Sequence, residues 1–362
     1  MTRIAVLGVG LVGGSIGLAA RRRLDAEVVG WDPDRRTLDQ ALGEGAISRA
    51  VASVAAACEG AEVVFCAPPV AALEALALEA LAASDAGTAV TDVGSTKRGI
   101  VAALGADERF IGGHPLAGAE TAGVGNARAD LFEGARWYLT PAEHTSGLLY
   151  DRLQRTVAGL GARPQAIAAA AHDRLMATIS HLPHVVANAL AAEAAEELTR
   201  DSERMPEVGP SFRDATRVAG ANPAIWTDIF ATNSEAVAVA VESVARRLEA
   251  AAELIRAGDR DAVGAWHAAA GEDRRRLLES ELESGPLREL RVVVANEPGT
   301  IAELALTLGE AGLNIEDMAL HPTPDMTSGA VTLWVSGDEQ ATRAAELVRG
   351  LGHTVSVLGD GE

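Results

Sequence analysis

Hydrophobic and polar positions divide the chain into stretches of different rhythm. From Arg3 to about Thr140, short β-branched runs alternate with segments of helical period, and Ile4–Gly8, Val28–Asp32, Glu62–Cys66, Ala89–Val93, Phe110–Gly112 and Trp137–Thr140 read as strands. Such alternation predicts a parallel sheet wrapped by helices. From about Ser146 to Glu283 only Arg163–Ile167 carries a strand signal. The rest has helical period, with wide apolar faces that need burial against each other or a second subunit. Ser284, Gly285 and Pro286 break the last long helix. Beyond them, strands at Leu290–Ala295, Asn314–Leu320, Ala330–Val335 and Thr354–Leu358 alternate with helices at Thr300–Ala311 and Glu339–Leu351, a βαββαβ order. The expected class is α/β: an N-terminal Rossmann-type dinucleotide-binding domain at 1–145, an all-helical middle domain at 146–284 and a small βαββαβ domain at 287–362.

Charge narrows the partners. The formal net charge is -20, with no Lys/Arg-rich run, so nucleic acid and membrane surfaces are not expected partners. A small anionic substrate would feel the same repulsion, and its site must supply local cations. No apolar run is seen to approach the roughly 20 residues that cross a bilayer, and the first strand begins without a cleavable signal, so a cytoplasmic location is expected. Cys58 and Cys66 are too few for a disulfide framework or a four-ligand zinc site and read as core. Lys97 stands out as the only lysine.

Gly8-Val9-Gly10-Leu11-Val12-Gly13 follows the first strand and opens a helix, the context that gives the GxGxxG pattern its meaning. Gly8 permits the turn, Gly10 leaves room for a pyrophosphate, and Gly13 lets helix and strand approach. The amides of the helix start, at Leu11 and Val12, then meet the phosphates. Asp32, at the end of the second strand, is placed to accept hydrogen bonds from the adenosine ribose and to repel a 2′-phosphate, which favours NAD; Arg35 and Arg36 leave NADP open.

Other clusters carry reactive groups. Asp92-Val93-Gly94-Ser95-Thr96-Lys97 ends a strand where open α/β sheets bind ligands, although Ser95 or Thr96 could equally cap a helix. Gly112 to Glu120 ends a strand in a glycine-rich loop. That loop exposes His114 to the cleft as a base for an alcohol proton, the alternative being a histidine tied to backbone. His181 and His184 share a spacing that suits one helix face, yet no third ligand motif accompanies them and no metal is expected. Asp214 and Arg217 have the same spacing, so the acid can hold the guanidinium while its fork receives a carboxylate; a plain surface ion pair is the other reading.

These segments together resemble the prephenate dehydrogenase family, with an appended ACT domain, over essentially the whole chain. The GxGLxGxS start matches Gly8 to Ser15, GS.K matches Gly94 to Lys97, and GGHPLAG matches Gly112 to Gly118. SHLPH matches Ser180 to His184, F-x-D-x-T-R matches Phe212 to Arg217, and N-P-x-x-W-x-D-I matches Asn222 to Ile229. The resemblance implies NAD-dependent oxidative decarboxylation of prephenate to 4-hydroxyphenylpyruvate, by a homodimer. It makes His114 the proton acceptor, with Ser95 beside it and the nicotinamide. Arg217 then holds the side-chain carboxylate, with His184 and His181 at the same substrate. Glu120 matches an acid of an ionic gate, while Ala119 departs from the threonine of some relatives and puts one polar contact in doubt.

Asn296-Glu297-Pro298-Gly299-Thr300 and Asn314-Ile315 resemble the ACT pattern, which implies tyrosine as a feedback effector bound at Asn296, Pro298, Gly299, Asn314 and Ile315; a domain serving assembly alone stays open. Two rival functions are weighed. Arogenate dehydrogenase differs only in an amino group on the substrate, and His184 tilts the reading toward prephenate. A non-catalytic regulator sensing NAD and an amino acid would have no need of His114, Ser95 and Arg217 together.

Overall fold

The computed structural model describes residues 2–118, 121–199, 208–279, 287–295 and, with interruptions between 301 and 327, 300–358. Glu120, Asn296, Pro298, Gly299, Asn314 and the Ser284-Gly285-Pro286 break lie outside the described residues. The chain forms two compact units, Met1–Leu248 and Glu249–Glu362.

The first unit is built on one sheet in the order β3-β2-β1-β4-β5-β6-β7-β8. Its strands are β1 Arg3–Leu7, β2 Glu27–Trp31, β3 Arg49–Ala50, β4 Val63–Cys66, β5 Ala89–Asp92, β6 Phe110–Pro115, β7 Arg136–Thr140 and β8 Arg163–Ala166. Helices α1 Leu11–Arg23, α2 Arg35–Gly43, α3 Val54–Cys58, α4 Val70–Ala83, α5 Arg98–Leu104 and α6 Gly147–Gly159 fill the crossovers. β4 is apolar at every position, and β1 at every position after Arg3, because both faces are covered. Ile4 and Val6 pack into the core on one side, and Ala5 and Leu7 into the core on the other. Cys58 and Cys66 are buried there as free thiols, as expected.

The sheet departs from expectation in three places. β7 pairs antiparallel with β6, so the sheet is mixed and not all parallel. β6 runs through His114, which pairs with Tyr138, so this histidine stands on a strand and not on the loop beyond it. The antiparallel partner continues β6 past the two residues, Phe110 and Ile111, that pair with β5. The isolated strand expected in the helical part is β8, which pairs with β7 at the sheet edge, so the sheet extends past residue 145.

Helices follow: α7 Ala169–Met176, α8 Leu182–Thr199, α9 Pro210–Ala215, α10 Pro223–Thr232 and α11 Ser234–Ala257. Between α7 and α8 the turn Ala177–His181 is π-helical. Pro183 explains it: a proline ring clashes with the carbonyl four residues back and offers no amide, and a wide turn relieves both. Because the helix continues through that turn, Ala169–Glu197 reaches 29 residues and contains an 18-residue window with a mean hydropathy of 1.2, long and apolar enough to cross a bilayer by length and composition alone. The sequence shows no such apolar run because His172, Asp173, Arg174 and Glu193 interrupt it, and only the continuous helix joins the pieces. It also carries His172, Asp173 and His181, all buried.

The second unit contains α12 Arg260–Glu279 and a four-stranded antiparallel sheet in the order β10-β11-β9-β12. The strands are β9 Leu287–Ala295, β10 Asp317–Pro322, β11 Ser328–Ser336 and β12 Thr354–Leu358. Thr300, Glu303, Leu304, Thr307 and Leu308 are helical, and α13 spans Asp338–Gly350. The order therefore matches the expected βαββαβ. Ala341, Ala344, Ala345 and Val348 form the buried stripe of α13, with helical spacing. Ile315 packs, half-buried, at the edge of the same core.

Candidate active site

The dinucleotide cradle lies where the strand order reverses, at the carboxyl ends of β1, β2 and β4. Gly8 has a φ of +93°, and a Cβ there would stand 2.8 Å from the Ala67 backbone. A Cβ on Gly13 would collide with the Gly8 carbonyl oxygen, while nothing lies within 4 Å of one on Gly10. Leu11 and Val12 form the first turn of α1, whose amides lack intrahelical partners. Asp32 is pinned from both sides, Oδ2 accepting from the Val9 amide and Oδ1 from the Asp34 amide, each at 2.9 Å. A cavity of about 480 Å³ opens between Gly8, Gly10, Trp31, Asp32 and Pro68. An open glycine cradle, free amides and a fixed carboxylate suit NAD.

At the next strand ends the chain builds a buried ion pair. Asp92 ends β5 and is fully buried; Oδ2 accepts from the Gly94 amide at 2.8 Å and Oδ1 from the Gly113 amide at 3.0 Å. The Lys97 ammonium completes the set in a short contact with Oδ2. Burial pulls the Lys97 amine below its ordinary range, against the opposing pull of Asp92. This pair ties the β5 loop to β6 beside His114. Neither Ser95 nor Thr96 caps α5. Asp173 does so from α7, accepting the Lys97 amide at 2.7 Å and the Arg98 amide at 2.8 Å. Thr96 donates instead to Thr232 at 3.0 Å, and the buried Ser95 hydroxyl has no partner among the described residues.

His114 is half-buried, and its Nδ1 lies 2.9 Å from Nε2 of His172. His172 Nδ1 lies 2.8 Å from Asp173 Oδ1. Burial first, then the neighbouring charges of His172, Lys97 and His181, hold the His114 imidazole well below its usual range. Asn233 Nδ2 binds the Asp173 carbonyl at 2.8 Å and His181 Nδ1 at 3.2 Å. Trp226 stacks on His184 at 3.5 Å between centroids and turns its edge toward His181. Asn222 caps α10 by accepting the Ala224 amide, and Pro223 starts the helix, which sets the position of Trp226. Burial lowers His184, a hydrogen bond with the Val218 backbone opposes that, and the Arg217 charge adds to the lowering. Arg217 therefore reaches the same cluster. Its amide donates to the Asp214 carbonyl at 3.3 Å, and both residues are exposed.

The structure thus links His114, His181, His184 and Arg217, four residues singled out from sequence, and leaves Ser95 on the β5 loop with its hydroxyl unpartnered among the described residues. It adds His172, Asp173, Asn233 and Trp226. His172 and Asp173 left one legible signal, two ionisable residues inside an alanine-rich apolar helix.

These histidines make stability depend on pH. Burial pushes His181 down to about 4, and His114 is lowered in the same direction. Between those values and the unfolded value near 6.5, the unfolded chain binds more protons, so stability is full above about 6.5 and is lost as pH falls toward 4. Denaturant midpoints are expected to drop between pH 7 and 4.5, and His181→Gln is expected to remove about 2 kcal/mol of that drop. An unchanged slope in the variant would contradict the assignment.

A dinucleotide cradle one strand from a neutral imidazole places the protein among the NAD-dependent dehydrogenases. Residues 16–165 match the nucleotide-binding domain of prephenate dehydrogenase and residues 168–268 its dimerisation domain, together more than two thirds of the chain. The chain is 28% identical to the prephenate dehydrogenase of Bacillus subtilis over 95% of both proteins. The fold resembles Aquifex aeolicus prephenate dehydrogenase in complex with hydroxyphenyl propionate and NAD+, with a TM-score of 0.72, 29% identity and coverage of 76% of this chain and 98% of that one. It also resembles Synechocystis arogenate dehydrogenase, with a TM-score of 0.69, 26% identity and coverage of 76% and 100%. The chain belongs to the prephenate dehydrogenase family.

Proposed function

We propose that the protein catalyses NAD-dependent oxidative decarboxylation of prephenate to 4-hydroxyphenylpyruvate, the step that leads toward tyrosine. The observation that carries this reading is a neutral imidazole, His114 on β6, in one cluster with the Arg217 guanidinium, which stands beside His184 in the helical region. Bound in the cradle, NAD supplies the hydride acceptor. His114 takes the proton from the ring hydroxyl, and the unpartnered Ser95 hydroxyl steadies that oxygen and the nicotinamide end. Arg217, steadied by Asp214, receives the side-chain carboxylate, while His184 and His181 line the tail. Loss of the ring carboxylate makes the ring aromatic, so the step is strongly downhill and the site has mainly to position and polarise. Mixing purified protein with NAD and prephenate should raise absorbance at the NADH wavelength. NAD binding without that signal, with prephenate or arogenate, would favour the non-catalytic sensor. Turnover of arogenate alone would favour the amino substrate, a reading that the likeness to an arogenate dehydrogenase keeps in view.

Of the domain limits expected from sequence, 1–145, 146–284 and 287–362, we propose moving the first to about residue 167, because β8 belongs to the first sheet and the matched nucleotide-binding domain ends at 165. A homodimer suits the long helices: Ile179, Val186, Leu190 and Val239 are exposed apolar residues on α8, α11 and the π turn, and the matched dimerisation domain covers them. Covering by a second copy, and not by a bilayer, accounts for the apolar stretch Ala169–Glu197. The βαββαβ order supports an ACT domain, with Asn296, Pro298, Gly299, Asn314 and Ile315 receiving tyrosine and Glu120 gating the active site. A chain ending at Glu283 should lose inhibition by tyrosine while keeping turnover. Inhibition that persists in it would put the effector in the active site.

A further inference from the structure

Prephenate oxidation, on the reading above, neither consumes nor releases a net proton. The hydroxyl proton that leaves at the start is needed again on the phenol oxygen of the product. The enzyme therefore has to store one proton for the length of the reaction. The residues behind His114 are arranged as such a store.

Their tautomers follow from one carboxylate. Asp173 accepts the Lys97 amide at 2.7 Å and the Arg98 amide at 2.8 Å, two donors that fix it as an acceptor. His172 Nδ1, 2.8 Å from Asp173 Oδ1, therefore carries a proton and donates it. A neutral imidazole has one N–H, so His172 Nε2 is an acceptor and His114 Nδ1, 2.9 Å away, is its donor. His114 Nε2 is left with a lone pair, the form a base requires.

We propose that His172 is a relay residue, so that the working base is a pair of imidazoles with its positive charge resting on the inner ring. As the hydroxyl O–H bond breaks, its proton bonds to His114 Nε2, and the Nδ1 proton of His114 passes to His172 Nε2. The C4 hydrogen leaves with its electron pair to NAD, which is reduced. The pair of the C1–carboxylate bond then enters the ring, carbon dioxide departs, and the former hydroxyl oxygen carries the negative charge. That oxygen takes the proton back from His114 Nε2 while the His172 proton returns to His114 Nδ1.

Electrostatics favours the inner ring. A cation on His114 faces the Lys97 ammonium and His181 with no carboxylate in hydrogen-bond contact among the described residues, whereas a cation on His172 lies 2.8 Å from Asp173. His172 is fully buried, with the edge of Tyr138 against it at 5.6 Å between centroids, so solvent does not compete for the stored proton. A single weak base becomes effective because its proton moves on.

The inference rests on the oxidation reading, and one experiment separates the two. Single-turnover NADH formation is measured in mixtures of light and heavy water with wild type and His172→Gln. Glutamine can accept from His114 and donate to Asp173, which keeps the tautomer, but it cannot pass a proton through. The wild-type rate is expected to fall along a bowed curve with deuterium fraction, because two protons move together. The variant is expected to be about 100-fold slower and to follow a straight line, with NAD and prephenate affinities within about twofold. A straight wild-type line, or a variant within about threefold of wild type, overturns the relay and leaves the oxidation intact. Absence of NADH from wild type overturns the oxidation reading itself. Should the variant not fold, the shape of the wild-type line decides.

Discussion

His114→Asn is expected to lower kcat with prephenate by about three orders of magnitude, equivalent to about 4 kcal/mol of transition-state stabilisation, while NAD binds as before. The asparagine carbonyl can still make a hydrogen bond, but an amide does not take a proton in neutral water, and the step needs an acceptor for the hydroxyl proton. NAD binding is spared because the cradle lies at the ends of β1, β2 and β4, with β5 between it and β6. The pH profile gives a second check. Burial and the charges of His172, Lys97 and His181 keep the His114 ring in its neutral, working form across the neutral range. Its protonation therefore appears only as an acid limb well below 6.5. Stopped-flow NADH formation from pH 5 to 8, with NAD binding followed by fluorescence, tests both points. Wild-type turnover in the variant would remove His114 from the chemistry.

Local rules made the first half of the chain readable. The GxGxxG turn requires glycine for reasons of backbone contact, and both Gly8 and Gly13 meet those contacts in the structure. Strands buried on both faces show as continuous apolar runs, which is why β1 and β4 were legible. What stayed hidden depends on partners remote in sequence. The cap of α5 comes from Asp173, 75 residues after Arg98, so Ser95 and Thr96 looked like the caps when they are not. The extension of β6 through His114 depends on β7, which no residue of β6 announces. His172 shows in the sequence only as an ionisable residue in an alanine-rich helix, and nothing there ties it to His114 until the fold sets it 2.9 Å away. His114 could thus be singled out from sequence as the candidate base, but not His172 and Asp173, which stand behind it.

Arg217→Ala is expected to raise KM for prephenate far more than it changes the affinity for NAD. Truncating one member of a charge-assisted bidentate pair costs about 2 to 5 kcal/mol, which is a factor of roughly 30 to several thousand in binding. Arg217 is exposed in the single chain, so the lower part of that range is expected. The rest of the molecule sharpens the effect. A net charge of -20 repels a dianionic substrate at long range, and the substrate end of the cleft has to answer with cations of its own. His184 cannot replace the guanidinium, because burial, with Arg217 itself beside it, keeps that imidazole neutral. Arg217→Lys is expected to recover part of the loss, since an ammonium restores charge but not the planar fork. Raising the salt concentration should weaken prephenate binding to wild type more than to Arg217→Ala. Steady-state KM and NAD titrations on the three proteins measure all of this. Equal losses of prephenate and NAD affinity would point to a disturbed fold, and an unchanged KM would move the carboxylate to another cation.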